Sequence, residues 1–208
     1  MYHGRPFGGL SILWKKTLDV KCTALNANYN NINAICVNIN DKNVYVVNVY
    51  VPHFCKEKED EIDAVIANLL ALWELSSCDE IIVCGDFNMH VDNNNFKNFL
   101  TICNDANLTI YDYVNLSEDS YTYTCEINGA CKWLDHFVVS ANLNNSIINC
   151  DIEKHVLLSD HLPMISTLRV EKLTCETELG TDKCKYIDWN DKKQVCNYQH
   201  ALEKFLND

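Results

Sequence analysis

Four apolar or β-branched runs follow one another near the start of the chain: Gly8–Trp14, Val20–Leu25, Ile32–Ile39 and Val44–Val51. Runs of this length, rich in Val and Ile and bounded by polar residues, are strand signals. The breaks Asn28-Tyr29-Asn30-Asn31 and Asn40-Asp41-Lys42-Asn43 carry turn chemistry. The spacing predicts consecutive strands in a meander, so the chain builds a sheet before it builds a helix. Then the period changes. Ile62, Val65, Ile66, Leu69, Leu70 and Trp73 fall on one stripe of an amphipathic helix. A strongly apolar strand, Ile81-Ile82-Val83-Cys84, ends at Gly85. Asn95 is placed to cap a short helix whose apolar face is Phe96, Phe99, Leu100 and Cys103. Further strands are predicted at Leu108–Tyr111, Tyr121–Cys125, Asp135–Val139, Ile147–Ile152 and Met164–Val170. Strands outnumber helices and cluster in hairpins. That predicts an α/β fold of two mainly antiparallel or mixed sheets packed face to face, with helices outside.

The 208 residues suffice for one such domain over residues 1–170, followed by a linker and a polar helix over 171–208. A hydrophobic content of 48% with 22% charged residues excludes a disordered or fibrous chain. No apolar run approaches the ~20 residues that span a bilayer. Met1-Tyr2-His3-Gly4-Arg5 lacks a signal-peptide pattern. The chain therefore reads as soluble and intracellular, with no membrane partner. Its 12 cysteines include no Cys-x-x-Cys pair, which argues against a zinc site. Cys36 and Cys84 sit within strand-like runs, so reduced, buried thiols are expected. The net charge of −12 opposes binding driven mainly by phosphate neutralisation. Part of that excess, Glu57, Glu59, Asp60, Glu61 and Asp63, opens the predicted helix, where it favours the helix dipole.

Three short segments carry chemistry, each at a strand end. In Ile82-Val83-Cys84-Gly85-Asp86-Phe87-Asn88 a buried strand leads through a glycine to a carboxylate and an amide two residues apart. In Lys132-Trp133-Leu134-Asp135-His136-Phe137-Val138-Val139 an Asp opens an apolar strand, a costly place for an ionised group without a partner. In Leu158-Ser159-Asp160-His161-Leu162-Pro163 adjacent Asp and His precede the last strand. A carboxylate that holds one imidazole nitrogen leaves the other facing a substrate. His3, His155 and His200 read as surface residues; His90 with Asp92 lies in the loop after Asn88 within approach of a substrate, although loop decoration suits the pair better.

Together these segments resemble the endonuclease/exonuclease/phosphatase superfamily. Val47-Asn48-Val49-Tyr50-Val51-Pro52 is similar to its strand ending in a tyrosine, and Gly85-Asp86-Phe87-Asn88 to its Gly-Asp-x-Asn signature. Trp133-Leu134-Asp135-His136 and Ser159-Asp160-His161-Leu162-Pro163 resemble its two later motifs. The string Gly4–Trp14 looks most like endonuclease domains of non-LTR (LINE-type) retrotransposons. The resemblance implies a DNase I-like four-layer α/β sandwich and phosphodiester hydrolysis assisted by Mg²⁺ or Mn²⁺. Asp86 would activate water, Asn88 hold the phosphate, and His161, oriented by Asp135, stabilise its charge. Tyr50 would contact the phosphate or leaving oxygen, and Asp160 would join Asp86 at the metal. Thr122 and Trp133 are candidate substrate contacts, although a simple strand threonine suits Thr122 better and packing suits Trp133 at least as well.

The family also draws an Asn and a metal-binding Glu from earlier strands, and nothing before Gly4 matches them. The resemblance thus implies a domain read without its first strands, with little nicking expected of the chain as given. Glu57 and Glu61 follow the Tyr50 strand and cannot replace that Glu; His53 stands where the family more often has Asn. Three functions stay open: a DNA endonuclease preceding a reverse transcriptase domain, an enzyme for small phosphorylated substrates, or a non-catalytic remnant. A nuclear location rests on the family resemblance alone.

Overall fold

The computed structural model describes residues 9–17, 20–25, 29–39, 42–75, 80–125, 127–156 and 159–169. By its contacts the chain divides into Met1–Lys172 and Leu173–Asp208. The predicted linker and helix over 171–208 lie outside the described residues.

β1 (Lys21–Leu25), β2 (Ile32–Ile39) and β3 (Lys42–Tyr50) form the expected antiparallel meander. The helix α1 (Glu59–Leu75) carries the chain back, so that β4 (Ile81–Asp86) joins β3 in parallel, as such a crossover requires. After α2 (Asn94–Asp105), β5 (Leu108–Ile110) and the single turn α3 (Tyr111–Asn115), a short hairpin forms from β6 (Tyr123–Thr124) and β7 (Cys131–Lys132). β8 (Asp135–Ser140) then inserts between β4 and β5, antiparallel to both. The result is a six-stranded mixed sheet in the order β1-β2-β3-β4-β8-β5. The turn α4 (Ala141–Asn144) leads to β9 (Ile147–Ile152), which pairs antiparallel with β10 (Met164–Leu168).

Strand alternation divides the core in two. Val47, Val49, Ile81, Val83 and Val138 face α1 and α2, where Val65, Ile66, Leu69, Phe96 and Phe99 meet them. Val44, Ile82 and Val139 face the other way, against Ile147, Cys150 and the half-buried Met164 and Leu168. Each fully buried Val or Ile contributes ~1.5–3 kcal/mol, so sheet and helices are held chiefly by these rows. Among the described residues Cys84, Cys103 and Cys150 are reduced thiols, the last two buried. Among the described residues no helix is long and apolar enough to cross a membrane.

Two local expectations are corrected. The predicted strand Gly8–Trp14 joins no ladder over its described part. Instead the carbonyls of Leu10 and Ser11 accept the side-chain amides of Asn33 and Asn48, at 3.4 and 3.1 Å. The cap of α2 is Asn93, not Asn95: Asn93 Oδ1 accepts the Phe96 N–H at 2.7 Å, while Asn95 lies inside the helix.

Gly85 governs the β3–β4 contact. Its φ is +145°, and a Cβ added there would stand 2.0 Å from the Val49 carbonyl oxygen. Backbone on the opposing side cannot yield as a side chain would. Gly85→Ala is expected to lower unfolding free energy by about 3 kcal/mol or more in urea titrations. A loss under ~0.5 kcal/mol would show that β3 and β4 can separate without harm.

Candidate active site

The sheet register assembles the site. β3 pairs Tyr50 with Asp86, and β8 pairs Asp86 with Asp135. Directly opposed residues share a face, so Tyr50, Asp86 and Asp135 form a row across three strands. Asp86 lies four residues beyond Ile82, on the face that β9 and β10 cover. The row therefore ends the inter-sheet core at its polar rim.

A turn before β10 brings the fourth member. The Thr124 N–H donates to the Asp160 carbonyl at 2.9 Å, and the Leu162 N–H to the Thr122 carbonyl at 2.6 Å. These bonds lay residues 160–162 along β6. Ser159 Oγ donates to Asp160 Oδ1 and accepts the His161 N–H, which shapes the turn. His161 Nδ1 then donates to Asp135 Oδ2 at 2.8 Å. Its ring packs edge-on against Tyr123, centroids 5.1 Å apart. The bond to Asp135 raises the His161 pKa above its ordinary value; the charges of Asp135, Asp86 and Asp160 add to it, and burial opposes them.

Asp86 is held by Asn88. The Asn88 backbone N–H donates to Oδ1 at 2.9 Å and its side-chain amide to Oδ2 at 3.0 Å. The same amide nitrogen donates to the Val51 carbonyl at 2.9 Å. Both amide hydrogens are thus engaged within the protein, which makes Asn88 first of all the clamp on Asp86. Burial pushes the Asp86 pKa up to about 6, the negative charge of Asp135 adds to the rise, and the Asn88 bond, His161 and His136 oppose it.

Two candidate substrate contacts are corrected. Thr122 is fully buried, and its hydroxyl oxygen accepts the N–H groups of both Leu134 and Asp135 at 3.0 Å. It pins the start of β8 and cannot reach a phosphate. Trp133 is 1% exposed and stacks over His136, centroids 6.1 Å apart, so no face is left for a base. Its buried Nε1 has no partner among the described residues.

Three further residues are structural partners of this edge. His90 Nδ1 accepts the Trp133 N–H at 3.1 Å, which makes this supposed loop decoration a tie between the Asn88 loop and β8. Asp112 and His136 form a buried pair 2.8 Å apart. Strand alternation was the signal for His136: if Asp135 faces the site, its neighbour must face the interior. Nothing in Tyr111-Asp112-Tyr113 marked Asp112 in advance.

Among the described residues no three or more His, Cys, Asp and Glu side chains are grouped to hold a metal ion. Mg²⁺ demands near-octahedral oxygen ligation, and Asp86 with Asp160 falls short of such a shell. The described donors alone therefore do not fit the expected metal.

The sequence pattern of the Endonuclease/Exonuclease/phosphatase family matches residues 2–161. The chain belongs to this family. No curated protein matches the sequence. Among solved structures, it superposes on the endonuclease domain of TRAS1, a telomere-specific non-LTR retrotransposon, with TM-score 0.62 and 15% identity, over 76% of this chain and 72% of that one. The AP endonuclease LMAP from Leishmania major gives 0.61 at 18% identity, over 75% and 63%. The 3′ phosphatase NExo from Neisseria, bound to a product DNA hairpin, gives 0.57 at 16%, over 74% and 71%. At such identities the likeness establishes the DNase I-like fold, a mixed sheet with flanking helices, as the family resemblance implied.

Thr122→Val keeps the shape and removes the acceptor for two buried N–H groups. About 2–4 kcal/mol of stability should be lost, whereas an unchanged urea midpoint would mean that water replaces the hydroxyl. A second expectation concerns pH. The Asp86 pKa is raised in the fold, so its contribution is fully favourable below its unfolded value, 3.8, and is lost as pH rises through about 6. His161, also raised, loses its contribution as pH climbs beyond its ordinary 6.5. The urea midpoint should therefore fall between pH 4 and 8. Asp86→Asn should flatten the lower part of that curve, on the order of 2–3 kcal/mol. Identical curves for parent and variant would refute the assignment.

Proposed function

We propose that this chain hydrolyses phosphodiester bonds and that its substrate is DNA, nicked on one strand. The observation that carries the reading is the Asp135–His161 couple beside Asp86, an oriented imidazole next to a clamped carboxylate whose pKa burial raises to about 6.

Hydrolysis needs a base for the attacking water and a donor for the charge that grows on the phosphoryl oxygens. Asp86, ionised above pH about 6, is the base. His161 keeps one N–H on Asp135 and presents its other ring nitrogen, protonated, to a phosphoryl oxygen. Asp86 and Asp160 favour that protonated form. Tyr50, beside Asp86 in the row, meets the phosphate or the leaving oxygen. Asn88 sets the angle of Asp86, and turns an amide hydrogen to the phosphate only by releasing Val51 or Asp86. Mg²⁺ or Mn²⁺ belongs to the same proposal as the added cation; because the described donors do not complete a shell, no step is assigned to it.

The likeness to the TRAS1 endonuclease domain and to DNA-bound NExo supports DNA as substrate. In a retrotransposon-type protein such a nick primes a reverse transcriptase domain of the same polypeptide, and that partner is part of the proposal. The net charge of −12 favours a second reading, a small phosphorylated substrate that needs no extended basic surface.

The 208-residue chain is to be incubated with supercoiled plasmid in Mg²⁺, Mn²⁺ or chelator between pH 5 and 9. Slow, cation-dependent nicking is expected, rising through pH about 6. Asp86→Asn and His161→Ala should each lower it by roughly 100-fold or more, and Glu59→Ala should leave it unchanged. Turnover of bis(p-nitrophenyl) phosphate with intact plasmid would favour the small-substrate reading. Absence of both activities, or equal rates in parent and Asp86→Asn, would overturn the proposal.

A further inference from the structure

We propose that His136 is a positioning residue for this site, held permanently as an imidazolium that anchors the Asn88–Met89 turn from behind. The positioning role rests on the function proposed above; the charge state does not.

His136 follows Asp135 on β8 and points to the opposite face, where it is 1% exposed. Its ring lies among Phe96, Phe87 and Trp133, at centroid distances of 4.9, 5.8 and 6.1 Å. Both ring nitrogens meet oxygen atoms at 2.8 Å: Nδ1 meets Asp112 Oδ2, and Nε2 meets the Met89 carbonyl. A carbonyl oxygen has only lone pairs to offer. A neutral imidazole carries one N–H and one lone pair, and so satisfies both contacts only if Asp112 supplies a proton of its own. The other Asp112 oxygen accepts the Phe137 N–H at 2.7 Å, so the carboxyl group receives hydrogen bonds from two sides when the ring donates, an arrangement strengthened by charge. The proton therefore resides on the ring, and each nitrogen donates. Burial is the largest influence and disfavours the cation, but the charge and hydrogen bond of Asp112, the Met89 carbonyl and the charge of Asp135 together outweigh it. The facing π-systems are electrostatically compatible with a cation in their midst.

The consequence runs outward through the backbone. Nε2 fixes the Met89 carbonyl. The residue before it, Asn88, has φ +51°, a left-handed conformation that a non-glycine residue holds only under constraint. Asn88 in turn makes both hydrogen bonds to Asp86. One buried cation thus sets the turn that aims the carboxylate, 47 positions away in sequence from its hydrogen-bonded carbonyl.

The test is ¹⁵N NMR of the histidine rings in the full chain from pH 5 to 8, with His136 assigned by the loss of its signals in His136→Gln. The structure expects both nitrogens of His136 in the protonated range across that span. In Asp112→Asn, which keeps size and shape, Nδ1 should move to the unprotonated range while Nε2 stays. A parent spectrum showing one unprotonated ring nitrogen on His136 at pH 7 would overturn the proposal; if His136→Gln does not fold, through-bond correlation of the ring to its own backbone makes the assignment in the parent. In the phosphodiesterase assay His136→Gln should lower kcat roughly tenfold or more with KM within about twofold, as misplacement of a catalytic group predicts. Full kcat in a folded His136→Gln would overturn the positioning role; absence of activity in the parent would instead count against the function alone.

Discussion

The close passage of β3 over Gly85 is the constraint from which the site edge follows. The peptide at Val49 runs so near this glycine that a single methyl would stand 2.0 Å from the carbonyl oxygen. At that spacing β4 can lie between a parallel and an antiparallel neighbour, and its last residue, Asp86, is opposed by Tyr50 on one side and Asp135 on the other. The carboxylate leaves the sheet at the point where buried apolar rows end. Its raised titration follows from that position, since one side of Asp86 is protein interior and the other is a second carboxylate.

Such a junction of like charges must be offset, and the chain offsets it from two directions. His161 approaches from the turn before β10 and takes up Asp135; Asn88 closes over Asp86 from the loop after β4. Behind the sheet His136 adds positive charge without entering the site. Every supporting group is itself supported: Thr122 receives the N–H groups that open β8, and His90 receives the one before them. Precision at the edge comes from this layered satisfaction of backbone groups, which leaves few alternative arrangements of comparable energy.

Much of this was legible in the residues and some was not, for physical reasons. The meander, α1 and the apolar strand ending in Gly85 announce themselves because periodicity and burial coincide there. Asp86, Asp135 and His161 were recognisable as polar groups at strand ends, where ionised residues need partners. Gly8–Trp14 has the composition of a strand, yet Asn33 and Asn48 take its carbonyls, and composition cannot say which donor a carbonyl will find. Asn93 and Asn95 are chemically equal as caps; only the direction of the entering chain selects the first. Thr122 and Trp133 were ambiguous because a hydroxyl or an indole serves packing and recognition equally well, and depth alone separates the two. Asp112 was invisible, since its partner lies 24 positions further on.

The strand β8 carries two Asp–His couples back to back, Asp135 with His161 on one face and His136 with Asp112 on the other. This arrangement makes the strand self-checking during folding. A slip of one residue would drive Asp135 toward Phe87, Phe96 and the Asp112 carboxyl with no cation to meet it, and would turn His136 toward His161. Each wrong register strands a carboxylate in an aromatic pocket, an error of several kcal/mol. The polar pairs flanking this strand thus discriminate between pairings that its apolar residues, Val138 and Val139, would tolerate almost equally.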